Sequence, residues 1–189
     1  MDKSIDSDLI RVIPFNKNSD GLQLCPIQVK EEYLKKWNEI SRDFVCLTKN
    51  GELISNSLYR LGGLNFNLNL KKDRYFMLLK HVEAFYPDTI TKVKDRKPHL
   101  ESRWVILDKN GIEKVEFKQF ASPYLVKDSC IYSIDGKYYN IETGEFYCDS
   151  RTSMKSSDYI FLENAYDKDE SKRGVMKINK NDGTWELFK

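Results

Sequence analysis

The chain has 189 residues, 40% hydrophobic and 32% charged, a mixture apolar enough to fill a core and too evenly charged for a disordered chain. Lys and Arg number 31 against 29 for Asp and Glu, so the net charge of +2 supplies no overall attraction to phosphate backbones or anionic lipid. The length fits one domain over residues 1–189, divided into an N-terminal segment to residue 42 and a hairpin region over 43–189.

Met1 to Ile10 carries Asp2, Asp6 and Asp8 and no continuous apolar run, which is unlike a secretory signal. No stretch is long and apolar enough to cross a bilayer. Cys25, Cys46, Cys130 and Cys148 are widely separated, without a C-x-x-C pair. They are expected to be buried free thiols in a cytoplasmic protein.

Val12-Ile13 and Leu22-Gln23-Leu24 flank a turn-like cluster at Asn16 to Gly21 and predict a short early strand. From Val29 to Ser41, Tyr33, Leu34, Trp37 and Ile40 recur at spacings of three and four, with Glu31 and Glu32 at the start. The spacing predicts one helix over about 29–41 whose early acids suit its positive end.

Beyond Asp43 the pattern changes to short apolar runs separated by Asn50-Gly51, Asn110-Gly111, Asp135-Gly136, Thr143-Gly144 and Asp182-Gly183. Such dipeptides make tight hairpins, because glycine adopts positive φ without steric cost. Cys130 to Cys148 reads as a three-stranded meander. Tyr75 to Tyr86 fits either a helical face ended by Pro87 or a buried strand. Its likeness to Tyr159-Ile160-Phe161-Leu162 favours a strand over about 75–82.

Units led by Asp43, Asp73, Asp128 and Asp158 follow at intervals of 30, 55 and 30 residues. On pieces such as Arg103-Trp104-Val105-Ile106-Leu107-Asp108 and Arg173-Gly174-Val175-Met176-Lys177-Ile178, the region resembles β-propeller blades or Trp-Gly-type β-hairpin repeats. With about nine to eleven strands legible, the chain is short for a closed propeller. The expected fold is mainly β, with α+β at the margin: an open, propeller-like antiparallel meander of repeated hairpins, with one N-terminal helix covering an edge or face.

Chemistry is sparsely marked. His81 could pair with Glu83, and His99 with Glu101, since alternate strand residues share a face, and Asp108 is a further acid for an enzyme site assembled from separated strands. No nucleophile elbow, closely spaced metal-ligand pair or glycine-rich phosphate loop is present, and no cofactor is indicated. The basic run Lys92 to Lys97 reads as a solvated loop.

Aromatic residues make up 13% of the chain, with 11 tyrosines. Tyr132, Tyr138, Tyr139 and Tyr147 crowd one meander, and Tyr138 and Tyr139 must face opposite ways on a strand. With Trp104 and Trp185 they form the candidate partner-binding set, because Tyr and Trp anchor interfaces through large area and a polar tip. The expected function is a non-enzymatic protein-binding module of the immunity or inhibitor kind. Its alternatives are the enzyme on His81 or His99 and a carbohydrate- or nucleic-acid-binding β module.

Overall fold

The computed structural model describes residues 10–12, 21–37, 44–54, 57–60, 73–84, 99–117, 121–150, 152–165 and 173–189. Among them the chain runs β1 (Ile10–Val12), β2 (Leu22–Val29), α1 (Glu31–Lys36), β3 (Phe44–Lys49), β4 (Glu52–Leu53), β5 (Leu58–Arg60), β6 (Tyr75–Ala84), β7 (His99–Asp108) and β8 (Glu113–Glu116). It continues with β9 (Pro123–Leu125), β10 (Ile131–Ile134), β11 (Lys137–Asn140), β12 (Phe146–Asp149), β13 (Thr152–Lys155), β14 (Tyr159–Ala165), β15 (Gly174–Asn179) and β16 (Trp185–Phe188). The fold is mainly antiparallel β, as the hairpin pattern predicts.

The strands form one eight-stranded sheet, in the order β1-β2-β3-β5-β6-β7-β8 with β4 on β3, and two four-stranded sheets, β12-β11-β10-β9 and β13-β14-β15-β16. All pairings are antiparallel, and both small sheets are meanders. The described strands number sixteen rather than nine to eleven. Pieces of two to four residues, such as β4, β5 and β9, are too short to show a period of two in the sequence.

Residues 75–82 lie in β6, which pairs along its whole length with β7. The helix is shorter at its start than the 29–41 expectation, because Val29 is the last residue of β2, paired with Ile10. Trp37 closes α1 with its N–H on Tyr33 O, and residues 38–41 lie outside the described chain. The apolar stripe does what its spacing implies: Leu34 and Trp37 cover Cys25, Ile27, Phe44, Cys46 and Leu58 on one face of the large sheet.

That sheet curls strongly. In a flat sheet β5 and β8 would stand about 14 Å apart, yet Tyr59 Oη donates to Glu113 Oε1 at 2.5 Å. Lys49 Nζ likewise reaches Asn110 Oδ1, in the β7–β8 turn, at 3.2 Å. The concave side is filled by Leu22, Leu47, Tyr59, Phe76, Leu78, Val105 and Leu107.

On the other face Tyr75, Met77 and Ile106 share one core with both small sheets, including Ile131, Tyr138, Cys148, Ile160, Leu162, Met176 and Ile178. In β14 buried Ile160 and Leu162 alternate with half-buried neighbours, the period of a strand packed on one side. Each fully buried aliphatic side chain contributes about 1.5–3 kcal/mol through burial.

Asn50-Gly51 and Asp135-Gly136 are two-residue hairpin turns with φ positive at both positions (53° and 82°; 51° and 80°). A different turn recurs three times. Asp108 N donates to Ile112 O, Asn140 N to Glu145 O and Asn179 N to Thr184 O, while Gly111, Gly144 and Gly183 each donate back to the Asp or Asn. The side-chain oxygen of each Asx residue accepts a backbone N–H two residues on, at 2.8 Å in all three. Three units, β6-β7-β8, β10-β11-β12 and β14-β15-β16, therefore share an Asx turn, which is one residue shorter in the first, closing at Ile112 four residues after Asp108 rather than five residues after the Asn. Asp73, Asp128 and Asp158 precede the first strands of these units, β6, β10 and β14. Asp43 itself lies outside the described residues.

Candidate partner-binding surface

The candidate aromatic residues divide by face. Tyr138 and Tyr147 belong to the core between the two small sheets. Tyr147 is 1% exposed and accepts from Asn140 Nδ2 at 2.8 Å, so neither of these two tyrosines offers surface to a partner. A register shift between β11 and β12, beside Tyr138 and Tyr139, accompanies this placement. Burial pushes the Tyr147 hydroxyl well above the usual tyrosine range, against the opposing pull of the Asn140 bond.

Tyr139 faces the other way, as its position next to Tyr138 requires. Leu125, Tyr132, Tyr139 and Phe146 stand opposite one another across β9, β10, β11 and β12. Tyr132 and Tyr139 stack with centroids 5.2 Å apart and planes at 14°, and Tyr139 meets Phe146 at 5.4 Å. At the inner end Phe117 sets its edge on Tyr132 at 5.2 Å, and Phe117 N donates to Trp104 O. Exposure rises along the row from buried Phe117 and Tyr132, through half-buried Tyr139, to Phe146 at 37%. Trp104 and Trp185 are half-buried against the same core, and Trp185 Nε1 donates to Glu145 Oε1 at 3.4 Å, beside Phe146. Phe146 carries the outer end of the row and was not among the residues singled out from the sequence. Its position directly across from Tyr139 follows only from the strand register.

At the end of the concave face a polar cluster also escapes linear reading. Lys80 donates to Glu113 at 2.7 Å and Glu116 at 3.3 Å, and Arg103 donates to Glu116 at 2.7 Å and Glu101 at 2.8 Å. Burial alone would lower the Lys80 pKa, but Glu113 and Glu116 outweigh it and hold it above the usual lysine value. Burial would likewise raise Glu116, and Arg103 and Lys80 pull it below the usual carboxylate range. Such mutually neutralised ions order the sheet's end.

The expected pairing of His81 with Glu83 does not form. Among the described side chains, His81 is buried with Ser102 Oγ 3.3 Å from Nδ1 and Phe44 edge-on at 5.4 Å, while Glu83 binds Lys36 at 2.8 Å and Glu101 binds Arg103. His99 pairs with Ala84 along the backbone, and its side chain lies outside the described residues. Asp108 is the Asx residue of a turn, accepting from Asn110 N and Ile112 N. No group of three His, Cys, Asp or Glu residues among the described ones is placed to hold a metal ion.

All four cysteines are buried and free. Burial, reinforced by Cys25, pushes the Cys46 thiol up to about 11, and burial with Asp149 pushes Cys148 up to about 12. The thiolate is the reactive form, so a water-soluble thiol reagent at mildly alkaline pH is expected to leave native protein unlabelled and to label every cysteine in denaturant. Rapid labelling of native protein, read by mass, would contradict the burial.

No described helix is long and apolar enough to cross a membrane. Compared with known proteins, the sequence matches no family model and no curated protein, and no solved structure matches the fold.

Proposed function

We propose that this protein is a non-enzymatic module that binds another protein, of the immunity or inhibitor kind. The observation that carries the reading is the aromatic row Tyr132-Tyr139-Phe146, which leaves the core and reaches solvent at Phe146, 37% exposed. A rigid stacked row ending in an exposed ring provides large contact area with little side-chain entropy left to lose on docking. Tyr139, Phe146 and the half-buried Trp104 and Trp185 are the contact residues this reading retains from the aromatic set.

The test is stoichiometric co-purification of tagged protein from its native cell, with a parallel variant in which the exposed end of the row is removed, Phe146→Ser. A single partner held by the wild type and lost by the variant at unchanged melting temperature is expected. Because interface aromatics cost about 2 kcal/mol or more each when truncated, the loss should exceed thirtyfold in affinity. Equal retention by both proteins, or no partner at any stage, overturns the reading.

A further inference from the structure

Two of the four buried thiols face each other across a strand pair. β2 and β3 run antiparallel with Cys25 directly opposite Cys46, and both side chains lie in the layer beneath α1, 3% and 1% exposed. Cys25 Sγ lies 3.1 Å from Thr48 Oγ1, two residues beyond Cys46, so the Cys25 sulfur leans toward β3. The Cys25 thiol is also near enough to add to burial in raising the Cys46 pKa. The other two cysteines have no such relation: Cys148 stands opposite Tyr138, and the Cys130 carbonyl accepts from Ile141 N.

Register fixes the backbone separation of the pair. Asn50 N donates to Gly21 O, which marks a hydrogen-bonded pair, and bonded and non-bonded pairs alternate along an antiparallel ladder. In that phase Pro26, which has no N–H, falls with Val45 in a non-bonded pair, as proline requires. Cys25 and Cys46 are therefore a bonded pair, with Cα atoms about 5.5 Å apart. Disulfides span Cα separations of about 4.4–6.8 Å, so the sulfurs can join without a change of register. The Cβ atoms of opposite residues stand about 4.5–5.5 Å apart, against about 3.8 Å in a relaxed disulfide. A link here must draw the strands together locally, and such strain makes a disulfide easier to reduce.

We propose that Cys25 and Cys46 form a reversible cross-strand disulfide, with a small-molecule disulfide such as oxidised glutathione as the oxidant. One cysteine thiolate attacks a sulfur of the oxidant, forming a mixed disulfide and releasing one small thiol. The second cysteine displaces the other. Two S–H bonds are lost and one S–S bond forms in the protein, while two electrons and two protons pass to the oxidant, which leaves as two thiols. Access is set by α1. This helix has six residues and is held over the pair by Leu34, Trp37 and the Lys36–Glu83 ion pair at 2.8 Å. So short a helix has little stability of its own, and its local opening admits the oxidant.

Mass spectrometry of native, reduced protein incubated with oxidised glutathione tests the pair. After acid quenching and blocking of free thiols in denaturant, peptide mapping is expected to show Cys25 joined to Cys46, with Cys130 and Cys148 blocked as free thiols. Excess reduced glutathione should restore the dithiol, and circular dichroism should be the same before and after. Oxidation is expected to be slow, limited by opening, and about threefold faster in Lys36→Ala, which loses a partly exposed ion pair and leaves the buried layer intact. A glutathione adduct that never closes overturns the proposal, as do the absence of any reaction, a disulfide between other cysteines, and a link that excess reduced glutathione cannot open. Equal rates in wild type and Lys36→Ala overturn the role of α1 as the cover.

Discussion

Gly183→Ala is expected to lower stability by about 3 kcal/mol, a fall of roughly 6–12 °C in melting temperature for a chain of this size. At φ +76° an alanine pays for the left-handed backbone, and its methyl would stand 2.3 Å from both Asn140 Nδ2 and Tyr147 Oη. Neither neighbour can withdraw easily. Asn140 is held by bonds from Glu142 N at 2.8 Å and Thr143 N at 3.1 Å, and Tyr147 is enclosed in the core. Gly144 occupies the same place in its own turn, at φ +69°, with nothing within 4 Å of an added methyl. Gly144→Ala should cost only the backbone term, about 1 kcal/mol. Calorimetry of the pair isolates the docking of one unit's turn on the preceding unit; equal losses would mean that this docking does not constrain the fold. Combining Gly183→Ala with Tyr147→Phe should cost less than the sum of the two, because the second change removes one clashing oxygen.

Lys80→Met is expected to destabilise the protein by about 2 kcal/mol at neutral pH, since it leaves Glu113 and Glu116 partly buried with one cation fewer. The sign of the pH dependence follows from Glu116, whose folded pKa is depressed. A depressed carboxylate stabilises the fold above its unfolded pKa of about 4.3 and loses that contribution as pH falls through the folded value. In the variant Glu116 lacks one of its two cations, so it has less to lose on acidification. The stability difference between wild type and variant should therefore narrow between about pH 5 and pH 3. Lys80, raised above its usual value, contributes below the unfolded lysine pKa of about 10.4, and that contribution fades as pH rises through the folded value. A difference that stays constant from neutral to acid pH in urea titrations would remove the ion pairs as its cause.

Local features were the readable ones. Asn50-Gly51 and Asp135-Gly136 carry their turn geometry in the dipeptide itself, and the strand from Tyr75 was legible from its likeness to Tyr159-Ile160-Phe161-Leu162. In the three described units the recurring physical element is the Asx residue that accepts backbone N–H groups inside the hairpin. The aspartate before a strand is a weaker marker. The opposite facing of Tyr138 and Tyr139 was legible from their adjacency, but not which of them is core: Tyr147 enters the core beside a register shift, and Phe146 gains its place from pairing with Tyr139. Lys80, Arg103, Glu101, Glu113 and Glu116 come from three strands, so no linear pattern could have assembled them.

By itself, then, the sequence determined that this protein is an antiparallel β protein of repeated hairpins with buried thiols and an aromatic-rich meander. Those properties follow from period, turn chemistry and composition, which act over a few residues. The tertiary structure alone decided that the large sheet curls until Tyr59 reaches Glu113, and that Tyr138 and Tyr147 enter the core while the row through Tyr139 reaches solvent at Phe146. Each of those outcomes is set by which sheet packs on which, a long-range choice that no local stretch encodes.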